Sequence, residues 1–242
     1  MVSETPFALG GSPGWYSNSR IVRLLFLATA LMLKVGLTGG IASGKSVVGE
    51  MFVALGAHLV QADRIAHQLM LPGQPVYNEV VRHFGGGILH PDLTVDRAKL
   101  AEAAFGSGTS SSTPSRVLEL NRIVHPAVIR SQEEWMAEMG RQDPRAVAIV
   151  EAALLLEAGA GKRFDRLIVV TCSEEQRVAR FAARQKIDVE AARKEVARRM
   201  AAQLPEAEKI KAADFVIDNS GLLDQTRGQV REVWEKLRTA AP

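Results

Sequence analysis

The sequence has only one cysteine, Cys172, among its 242 residues. A single thiol cannot form a disulfide within the chain or build a cysteine-based metal site, and this composition is typical of proteins from a reducing compartment. The five histidines also lack the H-x-x-x-H and H-E-x-x-H spacings that bind zinc. The sequence therefore predicts neither a disulfide framework nor a zinc site.

The chain also lacks a strong excess of either charge. Its 30 Lys and Arg residues stand against 27 Asp and Glu residues, so the formal net charge is only +3. This slight excess does not indicate a nucleic-acid partner, because proteins that bind nucleic acids concentrate many more positive charges. With 47% hydrophobic residues, the chain can bury the core of one large domain that carries inserted subdomains.

The apolar run at residues 24–33 is too short to cross a membrane, since a spanning helix needs about 20 residues. Its position behind Arg20 and Arg23 resembles a signal peptide. Cleavage there, however, would leave the following strand with almost no leader. We favour a second interpretation, in which residues 1–31 are a non-native or disordered extension and Met32 begins the compact chain. This interpretation predicts a cytoplasmic protein without a membrane partner.

Residues 39–46 form a complete phosphate-binding motif. They read Gly-Gly-Ile-Ala-Ser-Gly-Lys-Ser and match G-x-x-x-x-G-K-[ST], with an apolar run before them and a helical pattern after them. Glycines let the backbone approach phosphates closely, and the N–H groups of the first helical turn point at them. Lys45 would bind the β- and γ-phosphates, and the Ser46 hydroxyl would ligate Mg²⁺. The motif predicts an ATP or GTP site; the alternative is a glycine-rich turn without a ligand.

Apolar runs rich in β-branched residues alternate with helical patterns along the chain. Strands are predicted at residues 34–38, 58–61, 146–150, 167–171 and 215–217, and helices at 45–55, 63–71, 75–84, 96–105, 115–123 and 126–139. The glycine- and serine-rich stretch 106–114 predicts a surface loop. This alternation predicts an α/β fold with a doubly wound parallel sheet, whose ligands bind at the carboxyl ends of the strands.

Two acidic residues end predicted strands. Asp63 comes just after strand 58–61, where it would orient and deprotonate a phosphate acceptor, cap the next helix, or do both. Glu151 closes strand 146–150, where P-loop proteins often place an acid that holds Mg²⁺ through water. Ser46 and Glu151 are therefore the candidate metal residues. Glu157, further along, is expected to lie in a helix with a structural role.

A proline separates two of the predicted helices. Pro126 suits a first helical turn, because the missing N–H of proline would have no partner there in any case. His125, the residue before it, has two interpretations. It is either a packed structural residue or a contact for a ligand.

Basic residues are dense between residues 177 and 199. Arg180 and Arg184 are four positions apart and share one helix face, so both would reach a bound nucleotide if this segment were a lid. The alternative is a solvated helix face, because acidic residues are interspersed. The residues predicted to bind the nucleotide are Gly39, Gly40, Ile41, Ala42, Ser43, Gly44, Lys45, Ser46, Val47 and Arg180.

In the order and spacing of its motifs, the chain resembles the dephospho-coenzyme A kinase family over residues 33–237. The resemblance is carried by the phosphate loop, Gln-Ala-Asp-Arg-Ile-Ala-His at 61–67, Pro-Gly at 72–73, Leu-Asn-Arg-Ile-Val-His-Pro at 120–126, Leu-Leu-Leu-Glu at 154–157, Arg180 with Arg184, Gln203, Lys209, and residues 213–221. So many matching pieces are far more specific than the phosphate loop alone.

The resemblance implies a P-loop kinase that phosphorylates the ribose 3′-hydroxyl of dephospho-CoA with ATP and Mg²⁺, the last step of CoA synthesis. It makes Asp63 the base, Lys45 the cation on ATP and Arg184 a lid contact, and these three are the candidate catalytic residues. It also implies a core of residues 32–63, 144–175 and 206–242, a helical substrate-binding region at 64–143 and a lid at 176–205. We expect dephospho-CoA and ATP to be the partners and favour a monomer.

Four positions depart from the family pattern. Gln61 stands where an Asp is usual, His67 where an Arg is usual, Ala153 where a Pro is usual, and Gln185 where an acidic residue often follows the lid arginine. A neutral imidazole cannot form the bidentate contact of an arginine, so His67 bears on how the acceptor binds. Two alternatives stay open: another small-molecule or nucleoside monophosphate kinase, and a nucleotide-binding switch that lacks the guanine-selecting Asn-Lys-x-Asp pattern.

Overall fold

The computed structural model describes residues 32–105 and 116–240, so the predicted extension at 1–31 and the loop predicted at 106–114 both lie outside the described residues. The strands are β1 (Leu33–Gly39), β2 (His58–Gln61), β3 (Val147–Glu151), β4 (Arg166–Thr171) and β5 (Phe215–Asp218). The helices are α1 (Lys45–Ala54), α2 (Ala62–Leu69), α3 (Pro75–Phe84), α4 (Arg97–Phe105), α5 (Val117–Gln142), α6 (Glu174–Gln185), α7 (Val189–Ala201), α8 (Glu206–Ala212) and α9 (Leu223–Ala240), with short 3₁₀ turns at Gly86–Ile88 and Ala160–Arg163.

The five strands form one parallel sheet in the order β2-β3-β1-β4-β5. The first strand lies in the middle. The chain crosses from it to the edge strand β2, returns to β3 beside β1, and then continues to β4 and β5 on the other side, which confirms the predicted doubly wound α/β sheet. The register places Gln61 beside Glu151 on one side and Thr171 beside Asp218 on the other. The carboxyl ends of all strands therefore meet at one edge, together with the residues that follow them.

Helices cover both faces of this sheet. On one face, α1 and α9 pack against the strands around Phe52 and Trp234, whose ring centroids are 6.5 Å apart. On the other face, Met136 of α5 packs against Ala148 and Val150 of β3. Strands covered on both faces are continuously apolar, and all five residues of β3 are accordingly buried.

A second apolar cluster lies beyond the sheet, among α2, α3, α4 and α5. Its buried members include Ile65, Val80, Leu100 and Val124. A third cluster holds the hairpin of α6 and α7 together and includes Ile41 of the loop after β1. Two helical units thus flank the carboxyl edge of the sheet, one on each side of the loop that follows β1.

The two helices predicted at 115–123 and 126–139 are one continuous helix, α5, and the prediction of a break before Pro126 is wrong. A proline inside a helix removes the hydrogen bond to the carbonyl four residues earlier, here that of Arg122. Both Arg122 and Pro126 are exposed, so water can satisfy that carbonyl. Val124 and Val128 are buried on the opposite side, and their packing holds the two halves in line.

No helix in the described ranges is long and apolar enough to cross a membrane.

Candidate active site

The loop predicted to bind phosphate joins β1 to the N-terminus of α1. Its last glycine, Gly44, has φ +87°, a left-handed conformation that favours glycine. A side chain there would also meet the amide nitrogen of Asn219 at 2.1 Å, and one at Gly40 would meet the guanidinium of Arg177 at 2.2 Å. The loop is therefore packed closely from outside, and at Gly44 the backbone conformation also favours glycine.

Arg177 is one of the side chains that contact the loop from outside. It lies in the first turn of α6 and is only 1% exposed. Its guanidinium donates to the carbonyls of Ile41 and Cys172, both at 3.1 Å, and forms an ion pair with Glu206 at 2.5 Å. A buried charge is tolerated when it is paired and hydrogen-bonded, so Arg177 acts as a fixed brace for the backbone of the loop.

Asn219 is the second brace and follows β5. Its amide donates to the Ser43 carbonyl at 2.9 Å and accepts from the Thr226 hydroxyl at 3.1 Å. Arg180 donates to the same Ser43 carbonyl at 3.3 Å and to the Asn219 carbonyl at 2.8 Å. Arg180, predicted to contact the nucleotide, thus lies against the phosphate loop itself, and its contact with a nucleotide stays a prediction.

Sequence reasoning missed Arg177 and Asn219 as residues of the site. Arg177 was one basic residue in a segment with many, and nothing in its spacing distinguishes a buried arginine from the exposed ones. Asn219 carried a usable signal, because it follows a strand of a parallel sheet and all such strand ends meet at one edge.

A hydrogen-bonded carboxylate lies directly below the loop. Glu151, at the end of β3 and 7% exposed, accepts from the Ser46 hydroxyl at 2.7 Å and from the Gln61 amide at 2.8 Å. Sequence reasoning placed Ser46 and Glu151 at one metal site, and the fold brings them together. Gln61 therefore holds Glu151 in place, a contact that the sequence alone did not predict.

These side chains are hard oxygen donors, which are the ligands that Mg²⁺ prefers. No cluster of three or more His, Cys, Asp or Glu side chains that could hold a metal is found among residues 32–105 and 116–240. Mg²⁺ usually keeps several waters and is bound by one or two protein groups together with substrate phosphates. The Ser46 and Glu151 pair fits that mode of binding.

Lys45 lies among charges of both signs. Its burial lowers the pKa of the ammonium, while the carboxylates of Glu151 and Asp63 act in the opposite direction. The positive charges of Lys209 and Arg184 lower the pKa of Lys45 further. Five residues from five segments of the chain are therefore close enough to share one electrostatic environment, and three of them are the predicted catalytic residues Lys45, Asp63 and Arg184.

Asp63 is the second residue of α2 and is exposed. The N-cap of that helix is Gln61, so the alternative in which Asp63 caps the helix is wrong. Asp63 lies in the first turn of α2, and its carboxylate is near enough to Lys45 of the phosphate loop to raise the pKa of that ammonium.

A cavity of about 280 Å³ opens beside Asp63. It lies between α2, α5 and the turn after β3, and its walls are mostly apolar, with polar groups at Asp63, Asn121, His125, Gln132 and Arg163. His125 is exposed on this wall, which argues against its interpretation as a packed structural residue. The dimensions and lining suit a small organic molecule that is anchored by a few polar contacts.

Arg184 is exposed near the C-terminus of α6, with its guanidinium 5.7 Å from the centre of the Phe181 ring.

Glu157, predicted in a helix, lies instead in the turn at residues 153–159, so that prediction is wrong. The Glu157 carboxylate forms an ion pair with Lys209 at 2.8 Å and accepts from the backbone N–H of Leu204 at 3.0 Å. These contacts fix the turn against the segment that follows α7.

Comparison with known proteins decides the family. The family model described as dephospho-CoA kinase matches residues 33–225. The chain belongs to the dephospho-CoA kinase family. Dephospho-CoA kinases from Syntrophotalea carbinolica and Geobacter metallireducens are each 41% identical to it; the first match covers 85% of this chain and 92% of the relative, and the second 85% and 96%.

Solved structures agree with this membership. The TT1252 protein from Thermus thermophilus is 31% identical over 85% of this chain and 97% of its own, with a TM-score of 0.68. The dephospho-CoA kinase from Campylobacter jejuni shares the fold at a TM-score of 0.55 and 23% identity, over 86% of this chain and 98% of its own. Of the positions that depart from the family pattern, Gln61 hydrogen-bonds to Glu151 at the site, and His67 lies one turn after Asp63 on α2.

Proposed function

We propose that this protein transfers the γ-phosphate of ATP to the ribose 3′-hydroxyl of dephospho-CoA and so completes CoA synthesis. One observation carries the proposal. Asp63 lies on the wall of the 280 Å³ cavity, and its carboxylate is also near enough to Lys45 of the phosphate loop to raise the pKa of that ammonium. A carboxylate in this position faces a phosphate donor on one side and an acceptor on the other.

Phosphoryl transfer requires positioning and charge stabilisation more than covalent chemistry by the protein. The backbone N–H groups of the loop and the ammonium of Lys45 hold the phosphates of ATP. Asp63 accepts the proton of the 3′-hydroxyl as that oxygen attacks the γ-phosphorus in line with the departing ADP. Arg184 lies on the lid and stabilises the negative charge that develops on the transferring group.

Ser46, and Glu151 through water, would hold Mg²⁺. When bound, the ion neutralises charge on the phosphates. Two side chains orient the carboxylate of Glu151. The Gln61 amide donates to one of its oxygens at 2.8 Å, and the Ser46 hydroxyl donates to the other at 2.7 Å. The carboxylate is thus preorganised toward the phosphate loop rather than toward solvent.

The acceptor would occupy the cavity between α2 and α5. Its apolar wall suits the pantetheine arm of dephospho-CoA, and its polar groups suit the hydroxyl and amide groups of the substrate. We assign residues 64–143 to acceptor binding, residues 176–205 to the lid, and residues 32–63, 144–175 and 206–242 to the core. The apolar clusters that hold together the two helical units support this division.

Cellular location and assembly follow the same proposal. The one cysteine in the chain is buried as a free thiol, which suits a reducing cytoplasm. The site is built from one chain, so a monomer suffices for the chemistry. A mass measurement by light scattering at catalytic concentrations tests this part.

An acceptor screen tests the proposed reaction. Purified protein with Mg-ATP is given dephospho-CoA, shikimate, gluconate or a nucleoside monophosphate, and release of ADP is followed. The proposal predicts strong stimulation by dephospho-CoA alone. Stimulation by a different acceptor would favour another small-molecule kinase, and slow hydrolysis without stimulation would favour a nucleotide-binding switch.

A further inference from the structure

Lys209 is a buried lysine that the proposed reaction has not yet used. It lies on α8 and is only 1% exposed. Its ammonium forms an ion pair with Glu157 at 2.8 Å and donates to the side-chain oxygen of Gln203 at 3.3 Å. An ammonium has three N–H donors. Among residues 32–105 and 116–240, no acceptor is found for the third.

Lys209 lies beside a small cavity next to the phosphate loop, where its third N–H donor could bind a ligand. A small cavity of about 60 Å³ separates Lys209 from Gly40 of the phosphate loop, and Gln203 and Glu206 also line it. Such a volume has room for about two water molecules, or for the oxygens of a single phosphoryl group. The positive charge of Lys209 also lowers the pKa of Lys45, so the two ammonium groups are near enough to act on each other.

We propose that Lys209 is a second catalytic cation, which contacts the γ-phosphoryl group of ATP while that group is transferred. The inference rests on the proposed function, since it names a further residue for the same reaction. Negative charge spreads over the three equatorial oxygens of the phosphoryl group in the transition state. A fixed ammonium in a dry site stabilises that charge without reorganising solvent.

Glu157 supports this role in two ways. Its charge compensates that of Lys209, which would otherwise be very costly to bury. It also accepts from the backbone of Leu204, at the end of the predicted lid, and lies in the same turn as Leu154 and Leu155, which line the acceptor cavity. Glu157 is thus a positioning residue that ties Lys209 to both binding regions.

The test replaces the ion pair with a neutral, hydrogen-bonding pair, Lys209→Gln with Glu157→Gln. This double variant leaves no uncompensated buried charge, so folding is separated from catalysis. The matched control is Lys211→Gln with Glu208→Gln, an exposed pair on the same helix. The melting temperature, kcat, KM for dephospho-CoA, and the binding of ATP and ADP by fluorescence titration are measured for both.

The proposal predicts that the double variant melts near the wild-type temperature but loses kcat by about 10²-fold or more, as for the loss of one donor to a transition-state charge. ATP should bind more weakly while ADP, which lacks the γ-phosphate, binds as before. An unchanged kcat, or an equal loss of ATP and ADP binding, would show that the ion pair is structural and would overturn the proposal. If the double variant fails to fold, Lys209→Met with Glu157→Gln replaces it in the same measurements.

The binding arm keeps this inference separate from the proposed reaction. ATP and ADP affinities need no acceptor, so they test Lys209 even if wild-type protein does not phosphorylate dephospho-CoA. Suppose that the wild-type protein releases no ADP with dephospho-CoA, but binds ATP more tightly than ADP and loses this preference in the double variant. That result would contradict dephospho-CoA as the acceptor and would leave the role of Lys209 supported.

Discussion

At the scale of the residue, Asp63 shows how one position within a helix decides a role. A residue at the N-cap turns its carboxylate back onto its own helix, whereas Asp63, two residues further on, lies on the wall of the cavity. Gln61 takes the cap position without a capping contact from its side chain, because its amide is used to hold Glu151. The N-cap is therefore not Asp63, the residue that we propose as the base.

Replacing Asp63 with Asn should abolish most of the transfer and leave ATP binding intact. The amide cannot accept the proton of the acceptor, and loss of a general base lowers the rate by about 10²–10⁴-fold. We expect kcat to fall by that factor in a steady-state assay, with the ATP dissociation constant unchanged. Asp224→Asn, at an exposed position in the first turn of α9, is the control. Full activity of Asp63→Asn would remove Asp63 as the base.

Asn219→Ala tests the brace on the phosphate loop. The substitution removes one of two donors to the Ser43 carbonyl, which keeps Arg180, and leaves the Thr226 hydroxyl without its acceptor; a buried polar group that loses its partner costs about 1–3 kcal/mol. We expect the free energy of unfolding to fall by that amount in urea titrations and ATP to bind more weakly. Asn78→Ala, at an exposed position of α3, should change neither. Unchanged ATP affinity in Asn219→Ala would contradict the brace.

At the scale of the element, the sequence predicted the strands well because a buried parallel strand is a short apolar run with clear ends. The run at 146–150 and the strand Val147–Glu151 differ by one residue. The bounds of the helices were harder to predict, because local residue preferences compete with tertiary packing. Pro126 obeys the rule for a helix start, yet Val124 and Val128 are buried against the same helical cluster, and that shared packing outweighs the proline.

Pro126→Ala should therefore stabilise the protein. A proline inside a helix is less favourable than alanine by about 3 kcal/mol, and the variant gives back about 1 kcal/mol through a freer unfolded chain. We expect a gain of about 2 kcal/mol in the free energy of unfolding, measured in urea. Pro75→Ala is the matched control, because that proline begins α3 and costs little there. A loss of stability in Pro126→Ala would show that the helix needs the proline.

Glu157 is a second position at which local sequence predicted the wrong element. Its sequence context, Leu-Leu-Leu-Glu, favours a helix, but residues 153–159 form a turn that wraps the end of the acceptor cavity. The partner that holds Glu157 there, Lys209, lies 52 positions further along the chain. No local sequence pattern at either residue predicts an ion pair between them, so it is found only in the folded structure.

At the scale of the whole molecule, the parallel sheet explains why the site could be predicted in outline. Residues that end β1, β2 and β3 must meet at one edge, and the phosphate loop, Gln61 with Asp63, and Glu151 do so. The contacts from the other side, made by Arg177 and Asn219, depend on how α6 and β5 pack and were not predicted. The outline of the site thus follows from topology, while its bracing follows from tertiary packing.

The central claim is that this arrangement directs the γ-phosphate of ATP to one hydroxyl of one acceptor. The most direct measurement incubates the protein with Mg-ATP and dephospho-CoA, identifies the product by mass, and locates the new phosphate by ³¹P NMR. The account predicts CoA with its phosphate on the ribose 3′-oxygen, and no product from Lys45→Ala. A product phosphorylated elsewhere, or tight ATP binding without any transfer to dephospho-CoA, would contradict it.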